Sequence, residues 1–169
     1  MKAKTLSFLT FLLRGYADVM KQYEDTIAKC VIMLLHICPP EAVSSRKELL
    51  VAIRQIFSTD FRKGFYSHFD EIVNEKLLLG SGRQAYLTLR PLAYSTIADL
   101  VHLIKDTLSI SQLSKIIFLF SRNFHDADLA ISVQSTSVRL LLSLVENGSV
   151  SMVMSLFTFD LNRYNRYQY

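Results

Sequence analysis

The chain has 169 residues, of which 50% are apolar, and it carries a net charge of +4 from 19 Lys and Arg against 15 Asp and Glu. This length allows one domain with a substantial core. Basic residues are scattered among acidic ones, whereas a nucleic-acid-binding surface clusters them. No apolar run reaches the roughly 18–20 residues of a membrane-spanning helix. We therefore expect a protein that contacts neither nucleic acid nor a membrane directly.

The first pair of predicted helices covers residues 4–22 and 25–36. Pro39-Pro40 ends this pair, because proline lacks the amide donor that a helix needs. The basic N-terminus and the apolar run after it resemble a secretory signal peptide. Arg14 interrupts that run, and its leucines follow a spacing that recurs later in the chain. We therefore interpret the segment as a helix of the mature fold.

The second predicted pair starts at a capping box. In Ser45-Arg46-Lys47-Glu48, the serine hydroxyl and the glutamate carboxylate can each satisfy an unpaired amide of the first turn. This pattern predicts a helix over residues 46–58. Its partner helix is expected to begin after Asp60. The apolar residues at helical spacing along this partner are Phe65, Phe69, Ile72 and Val73.

Gly80-Ser81-Gly82 breaks the chain before the third pair, whose first helix is predicted over residues 83–105. Pro91 either kinks this helix or starts its main segment, and the register with Arg46 favours a start near Pro91. A second capping box, Ser109-Ile110-Ser111-Gln112, begins the partner helix. The apolar residues of this partner are Leu113, Ile116, Ile117 and Phe120. A last helix is predicted over residues 128–146, and Asn147-Gly148 ends it.

An apolar trio recurs every 44 residues along these helices. Its copies are Leu9, Leu12 and Leu13; Ile53, Ile56 and Phe57; Ile97, Leu100 and Val101; and Leu141, Leu144 and Val145. A polar residue stands seven positions before each copy: Lys2, Arg46, Arg90 and Gln134. The partner helices share the period, although in the first pair the match slips to 42 residues, at Ile27, Cys30 and Val31.

A period of roughly 40–47 residues built from helix pairs is typical of HEAT and armadillo units, whose copies stack to bury a continuous core. We therefore predict an all-α fold, an α-solenoid of about three and a half HEAT-like repeats over residues 1–147. Residues 148–169 lose the pattern, since Asp160 falls where earlier partner helices carry Ile72 and Ile116. We expect this segment to be a divergent, loosely packed tail, from a truncated or mis-joined sequence.

Residues with reactive side chains do not converge in this arrangement. Cys30, His36 and Cys38 face different sides of one predicted helix, so they cannot close on one zinc ion. The two cysteines would lie about 12 Å apart at the helical rise, too far for a disulfide, which favours a reducing compartment. The four histidines are dispersed: His36, His68, His102 and His125.

The remaining candidates also favour structural roles. Gly80-Ser81-Gly82 lacks the lysine of a phosphate-binding loop, and it is interpreted as a turn between repeats. The carboxylates Asp70, Glu71 and Glu75 are expected on a solvated helix face with Lys76. Arg46 and Arg90 are expected to satisfy carbonyls or carboxylates between repeats. We predict no catalytic, cofactor-binding or metal site, and therefore no enzyme.

Five stretches, in order along the chain, resemble one region of the TRRAP family, the transformation/transcription domain-associated proteins. They are residues 46–52, 59–62, 75–82, 88–102, and 132–134 followed by 140–145. The segment Leu89-Arg90-Pro91-Leu92-Ala93-Tyr94-Ser95-Thr96-Ile97-Ala98-Asp99-Leu100-Val101-His102 is the most specific. The resemblance covers residues 4–147. Members of this family are giant pseudokinase relatives of the phosphatidylinositol-3-kinase-like kinases, and the matching region is expected to be part of their N-terminal helical array.

The resemblance implies a nuclear, non-catalytic scaffold in histone acetyltransferase coactivator complexes of the SAGA and NuA4 type. The implied partners are proteins, namely transcription activators and other subunits of those complexes, and no small-molecule substrate or cofactor is implied. An importin-like or other HEAT-repeat transport protein is the alternative. It predicts an acidic inner stripe or Trp/Asn pairs, and the chain contains no Trp. An enzyme that uses the Gly80–Gly82 turn is the least favoured interpretation.

Overall fold

A computed structural model of the chain describes Phe8, residues 11–126 and residues 129–146. The chain divides into two compact units, Met1–Leu100 and Val101–Tyr169. Every regular element in the described residues is helical, and none of them is a strand. The predicted all-α class is therefore confirmed. Each helix in the part of the chain that the structure describes is too short or too polar to span a lipid bilayer.

The elements follow one another in helix pairs. Helix α1 covers residues 11–15. The elements that follow in the first unit are α2 (Ala17–Met20), a 3₁₀ turn (Lys21–Tyr23), α3 (Glu24–Ile37), α4 (Val43–Phe57), a 3₁₀ segment (Asp60–His68), α5 (Phe69–Ile72) and α6 (Glu75–Leu79). Helix α7 (Arg83–Ile104) is followed by a 3₁₀ turn (Lys105–Thr107), α8 (Ile110–His125) and α9 (Ile131–Glu146). In the first unit α3 packs against α4 and the Asp60–His68 segment, and in the second α8 packs against α9.

The recurring apolar trios lie in the core, as predicted. The trio members that are buried are Leu13, Ile53, Ile56, Phe57, Ile97, Leu100, Val101, Leu141 and Leu144. Leu12 and Val145 are half-buried, and Leu9 lies outside the described residues. Burial of the same positions in successive copies is what a stacked helix-pair repeat requires.

The first predicted helix is broken, whereas residues 4–22 were expected to form one helix. The backbone bends at Tyr16 (φ −130°, ψ 39°) between α1 and α2, and the 3₁₀ turn Lys21–Tyr23 follows. Gly15 stands at the break, with nothing within 4 Å of the place where a Cβ would lie. Glycine costs a helix about 1 kcal/mol relative to alanine, and no packing at this residue offsets that cost.

The partner of α4 is a 3₁₀ segment followed by the short helix α5, not the single α-helix that was expected. Gly64 explains the difference, because a Cβ at this residue would lie 2.7 Å from the backbone oxygen of Glu24. The amide of Gly64 also donates to Glu24 Oε1 at 3.0 Å. This close approach to α3 fixes the backbone locally, while Phe65, Phe69 and Ile72 remain buried as predicted.

The two predicted capping boxes have different outcomes. The second is present, since Ser109 Oγ accepts from the Gln112 amide and Gln112 Oε1 accepts from the Ser109 amide. The first is wrong. Helix α4 begins three residues earlier, at Val43, after Ala42, which provides no side-chain cap. A turn closed by the Ala42 amide on the Pro39 carbonyl (3.0 Å) starts the helix early.

Helix α7 runs without interruption through Pro91, so the expected start of its main segment near Pro91 is wrong. Proline inside a helix removes one hydrogen bond and costs about 3 kcal/mol. The residues on both sides of Pro91 share one buried face at a spacing of four, namely Ala85, Leu89, Ala93 and Ile97. Burial of a large apolar side chain such as Leu89 stabilises by about 1.5–3 kcal/mol, which offsets the cost of the proline.

Two of the three residues predicted for the first partner helix, Ile27 and Val31, are buried in α3, as expected. The third, Cys30, is exposed, and the other buried residues of α3 are Ala28, Ile32 and Leu35. The last helix starts at Ile131 instead of residue 128. The predicted stop at Asn147-Gly148 and the predicted tail over residues 148–169 lie outside the described residues.

Candidate functional site

The Gly80–Gly82 segment is a turn between helix pairs, as the sequence predicts. Gly80 (φ +72°) and Gly82 (φ +96°) adopt the left-handed backbone that favours glycine. A Cβ at Gly80 would collide with the Pro40 carbonyl and would lie 2.6 Å from Arg46 Nε. The Ser81 amide donates to the Pro40 carbonyl at 2.9 Å. The turn therefore packs on the preceding Pro39-Pro40 turn.

Arg46 joins three segments of the first unit and is only 3% exposed. Its Nη2 donates to the carbonyl of Cys38 at 2.7 Å, and its Nε donates to the carbonyl of Pro39 at 3.3 Å. Its Nη1 donates to the carbonyl of Leu77 in α6. These carbonyls stand at helix C-terminal ends, which lack intrahelical donors and attract positive charge. The prediction that Arg46 satisfies carbonyls between repeats is confirmed.

Arg90 stands at the equivalent repeat position but has different surroundings. Its guanidinium lies over the Tyr86 ring, 4.3 Å from the ring centroid, and 5.7 Å from the centroid of Tyr94. Cation–π contacts of this kind contribute about 0.5–2 kcal/mol each, with the larger value for desolvated groups. Arg90 is itself buried within α7. Arg46 and Arg90 are therefore both buried, and the guanidinium of Arg90 contacts two aromatic rings.

The three acidic candidates lie on two helices and do not form one site. Asp70 is exposed on α5. Glu71 Oε1 lies 3.3 Å from Nδ1 of His68 in a partly exposed pair. Glu75, at the start of α6, is half-buried and accepts a hydrogen bond from the Tyr94 hydroxyl. Asp70 is therefore solvent-exposed, as expected. Glu75 is not, because it is half-buried and links α6 to α7.

Cys30, His36 and Cys38 have different environments. Cys30 and His36 are exposed, Cys38 is buried at the C-terminal end of α3, and both cysteines are free thiols. Among the described residues, no group of three or more His, Cys, Asp or Glu side chains could hold a metal ion.

Two contacts between helices have no signal in the local sequence. Arg54 Nε of α4 and Asp99 Oδ2 of α7 form an ion pair at 2.6 Å, and both side chains are 41% exposed. Exposed pairs contribute about 0–1 kcal/mol, so this pair adds little to the stability of the fold. The second contact joins Glu24 to the Gly64 amide. Their sequence separations of 45 and 40 residues put both pairings beyond any local pattern.

Asn123 is a further residue that the sequence analysis missed. It lies within α8 and is completely buried, and neither atom of its side-chain amide has a hydrogen-bond partner in the part of the chain that the structure describes. A buried unsatisfied polar group costs about 1–3 kcal/mol. The one signal in the sequence is its spacing: Asn123 follows Phe120 by three residues and so falls on the apolar face of the helix.

The outward faces of α3 and α8 are the candidate surfaces for protein contacts. On α3, Cys30, Met33 and Ile37 are exposed at spacings of three and four residues, and so share one face. On α8, Lys115, Phe118 and Arg122 are exposed at the same spacings. Both faces lie opposite the buried side of their helix. Their composition suits contacts with another protein more than chemistry on a small molecule.

Comparison with known proteins identifies related sequences. A family model described as the Tra1 HEAT repeat central region matches residues 1–152. The match lies in the central part of the array, so the expectation that the chain resembles the N-terminal part of the array is wrong.

Named relatives agree with the family model. The transformation/transcription domain-associated protein of Homo sapiens is 44% identical over 143 residues, which is 85% of this chain and 4% of the relative. The protein of the same name from Danio rerio is 40% identical over 178 residues, which is 98% of this chain and 5% of the relative. The SAGA complex/NuA4 acetyltransferase complex subunit TRA1 of Saccharomyces cerevisiae is 43% identical over 145 residues, 85% of this chain and 4% of the relative. The chain thus spans about 4–5% of the length of these curated relatives.

Proposed function

The chain belongs to the Tra1/TRRAP family, and from this membership we propose that it is a non-catalytic protein–protein scaffold. It would act as a segment of the helical array of a coactivator subunit in histone acetyltransferase complexes of the SAGA and NuA4 type. The observation that carries the proposal is the match of residues 1–152 to the family's central HEAT region. The yeast relative at 43% identity is named as a subunit of both complexes.

The described helices support a scaffold. Side chains that could perform chemistry instead hold helices together, as Arg46 does at three carbonyls and Glu75 does at Tyr94. The exposed apolar side chains, such as Met33 and Phe118, stand on the outward sides of their helices. A helix face of this kind receives an amphipathic partner helix through anchors at helical spacing.

The same family membership also suggests which partners the chain binds and in which compartment it acts. Transcription activators would dock on the array as short amphipathic helices between repeats, and the chain would reside in the nucleus. Many such segments are acidic, and the net charge of +4 favours their approach.

The proposal is tested with the full gene product that contains this sequence, tagged in cells of its source organism. We expect the tagged protein to be nuclear and to co-elute on size exclusion with nucleosomal histone acetyltransferase activity. Leu50→Asp places a charge in the core of α4, where Leu50 is fully buried, and should abolish the co-elution. Val51→Asp, at the exposed neighbouring position, is the matched control and should preserve it.

Two outcomes would contradict the proposal. In the first, the wild-type protein elutes apart from all acetyltransferase activity. In the second, it is cytoplasmic and co-elutes with nuclear transport cargo, which would favour a transport solenoid instead.

A further inference from the structure

Two junctions between helices contain the same side-chain hydrogen bond. Arg46 is the fourth residue of α4, and its Nη2 donates at 2.7 Å to the carbonyl of Cys38, the C-cap of α3. Gln134 is the fourth residue of α9, and its Nε2 donates at 2.9 Å to the carbonyl of Asp126, the C-cap of α8. In both cases the donor stands eight residues after the acceptor.

The length of the connection and the first backbone hydrogen bond of the helix also match at the two junctions. The connecting loops, residues 38–42 and 126–130, have five residues each. An alanine precedes the helix in both, and its carbonyl accepts from the amide of the fourth helical residue: Ala42 from Arg46 at 3.0 Å, and Ala130 from Gln134 at 3.3 Å. Alanine has no side-chain acceptor with which to cap a helix. The polar contact at each junction is therefore made by the fourth residue.

We infer that Arg46 and Gln134, the junction donors, perform the same task, which is to fix the first turn of one repeat to the carbonyl end of the preceding helix. Carbonyls at a helix C-terminus lack intrahelical donors and carry the negative end of the helix dipole. A neutral amide suffices for the shared bond, because Gln134 makes it. The guanidinium of Arg46 makes it too, and adds the carbonyls of Pro39 and Leu77.

Arg90 occupies the same repeat position between Arg46 and Gln134, and it shows which local structure the junction bond requires. Arg90 lies in the middle of the continuous helix α7, with no five-residue loop before it, and its guanidinium lies over Tyr86 and Tyr94. The repeat position in the sequence is therefore not enough. The junction bond requires a helix that begins three residues before the donor.

The test measures amide hydrogen exchange in the full chain. It compares variants in which a junction donor is replaced by another donor with variants in which the donor is removed. Gln134→Met removes the donor at similar length, whereas Gln134→Arg restores a donor of the type found at the other junction. We expect Gln134→Met to speed exchange of the amides of Leu129 and Gln134 about two- to tenfold, the effect of one lost hydrogen bond. Gln134→Arg should stay within about twofold of the wild type. Arg139→Met, at an exposed position of α9, is the matched control and should change neither amide.

At the other junction, Arg46→Gln should retain part of the protection and Arg46→Met should lose more, because Arg46 has three acceptors. If Arg46→Met does not fold, as circular dichroism would show, the Gln134 series decides the question. The inference is overturned if Gln134→Met exchanges no faster than Arg139→Met. It is equally overturned if Gln134→Arg exchanges as fast as Gln134→Met, because the donor would then not be interchangeable.

Discussion

Ile97→Ala tests whether the recurring trio is the core of the fold. Ile97 lies in α7 and is completely buried. The substitution removes three carbon atoms, which is worth about 2.4 kcal/mol at about 0.8 kcal/mol per buried group. The space left behind adds about 24 cal/mol per Å³ of unrelaxed cavity, so a remaining cavity of about 50 Å³ adds about 1.2 kcal/mol. We therefore expect a loss of about 2.5–4 kcal/mol in the free energy of unfolding.

Urea denaturation followed by circular dichroism measures this loss as a shift in midpoint at an unchanged slope. Leu87→Ala is the matched control, because Leu87 lies on the same helix but is 63% exposed. Surface substitutions of this kind usually change stability by less than about 0.5 kcal/mol. Equal losses for Ile97→Ala and Leu87→Ala would refute the assignment of the trio to the core.

Three further predictions concern single positions and the C-terminal end. Gly64→Ala should lower the free energy of unfolding by about 1–3 kcal/mol, since its Cβ would lie 2.7 Å from a backbone oxygen of α3. Gly15→Ala, in open space, should instead raise the free energy of unfolding by about 0.5–1 kcal/mol. Chemical denaturation would distinguish the two signs. Asn123→Leu should raise the free energy of unfolding by about 1–3 kcal/mol, because the substitution removes an unsatisfied buried amide. A destabilised Asn123→Leu variant would show that the amide has a partner. Residues 148–169 should exchange their amide hydrogens faster than α8, and equal protection would show that they form a true final helix.

Local patterns in the sequence were sufficient to predict that the chain is helical, where several of the helices lie, and which residues form much of the core. The 44-residue spacing identified Ile53 and Ile97 as equivalent, and both are fully buried. The Ser109–Gln112 capping box identified the start of α8 to the residue. Such signals are readable because a helix is closed by bonds between near neighbours, and because its buried face repeats every 3.6 residues.

The tertiary structure decided the features that depend on residues distant in the chain. Glu24 and Gly64 approach so closely that the second partner element is a 3₁₀ segment, although its apolar spacing alone favours an α-helix. Arg46 became a three-carbonyl donor only because the chain returns to it at Leu77, 31 residues later. Pro91 remains inside a helix because packing on both sides of it outweighs its local cost. Burial and close approach are set by the whole fold, so no window of neighbouring residues contains the information that determines them.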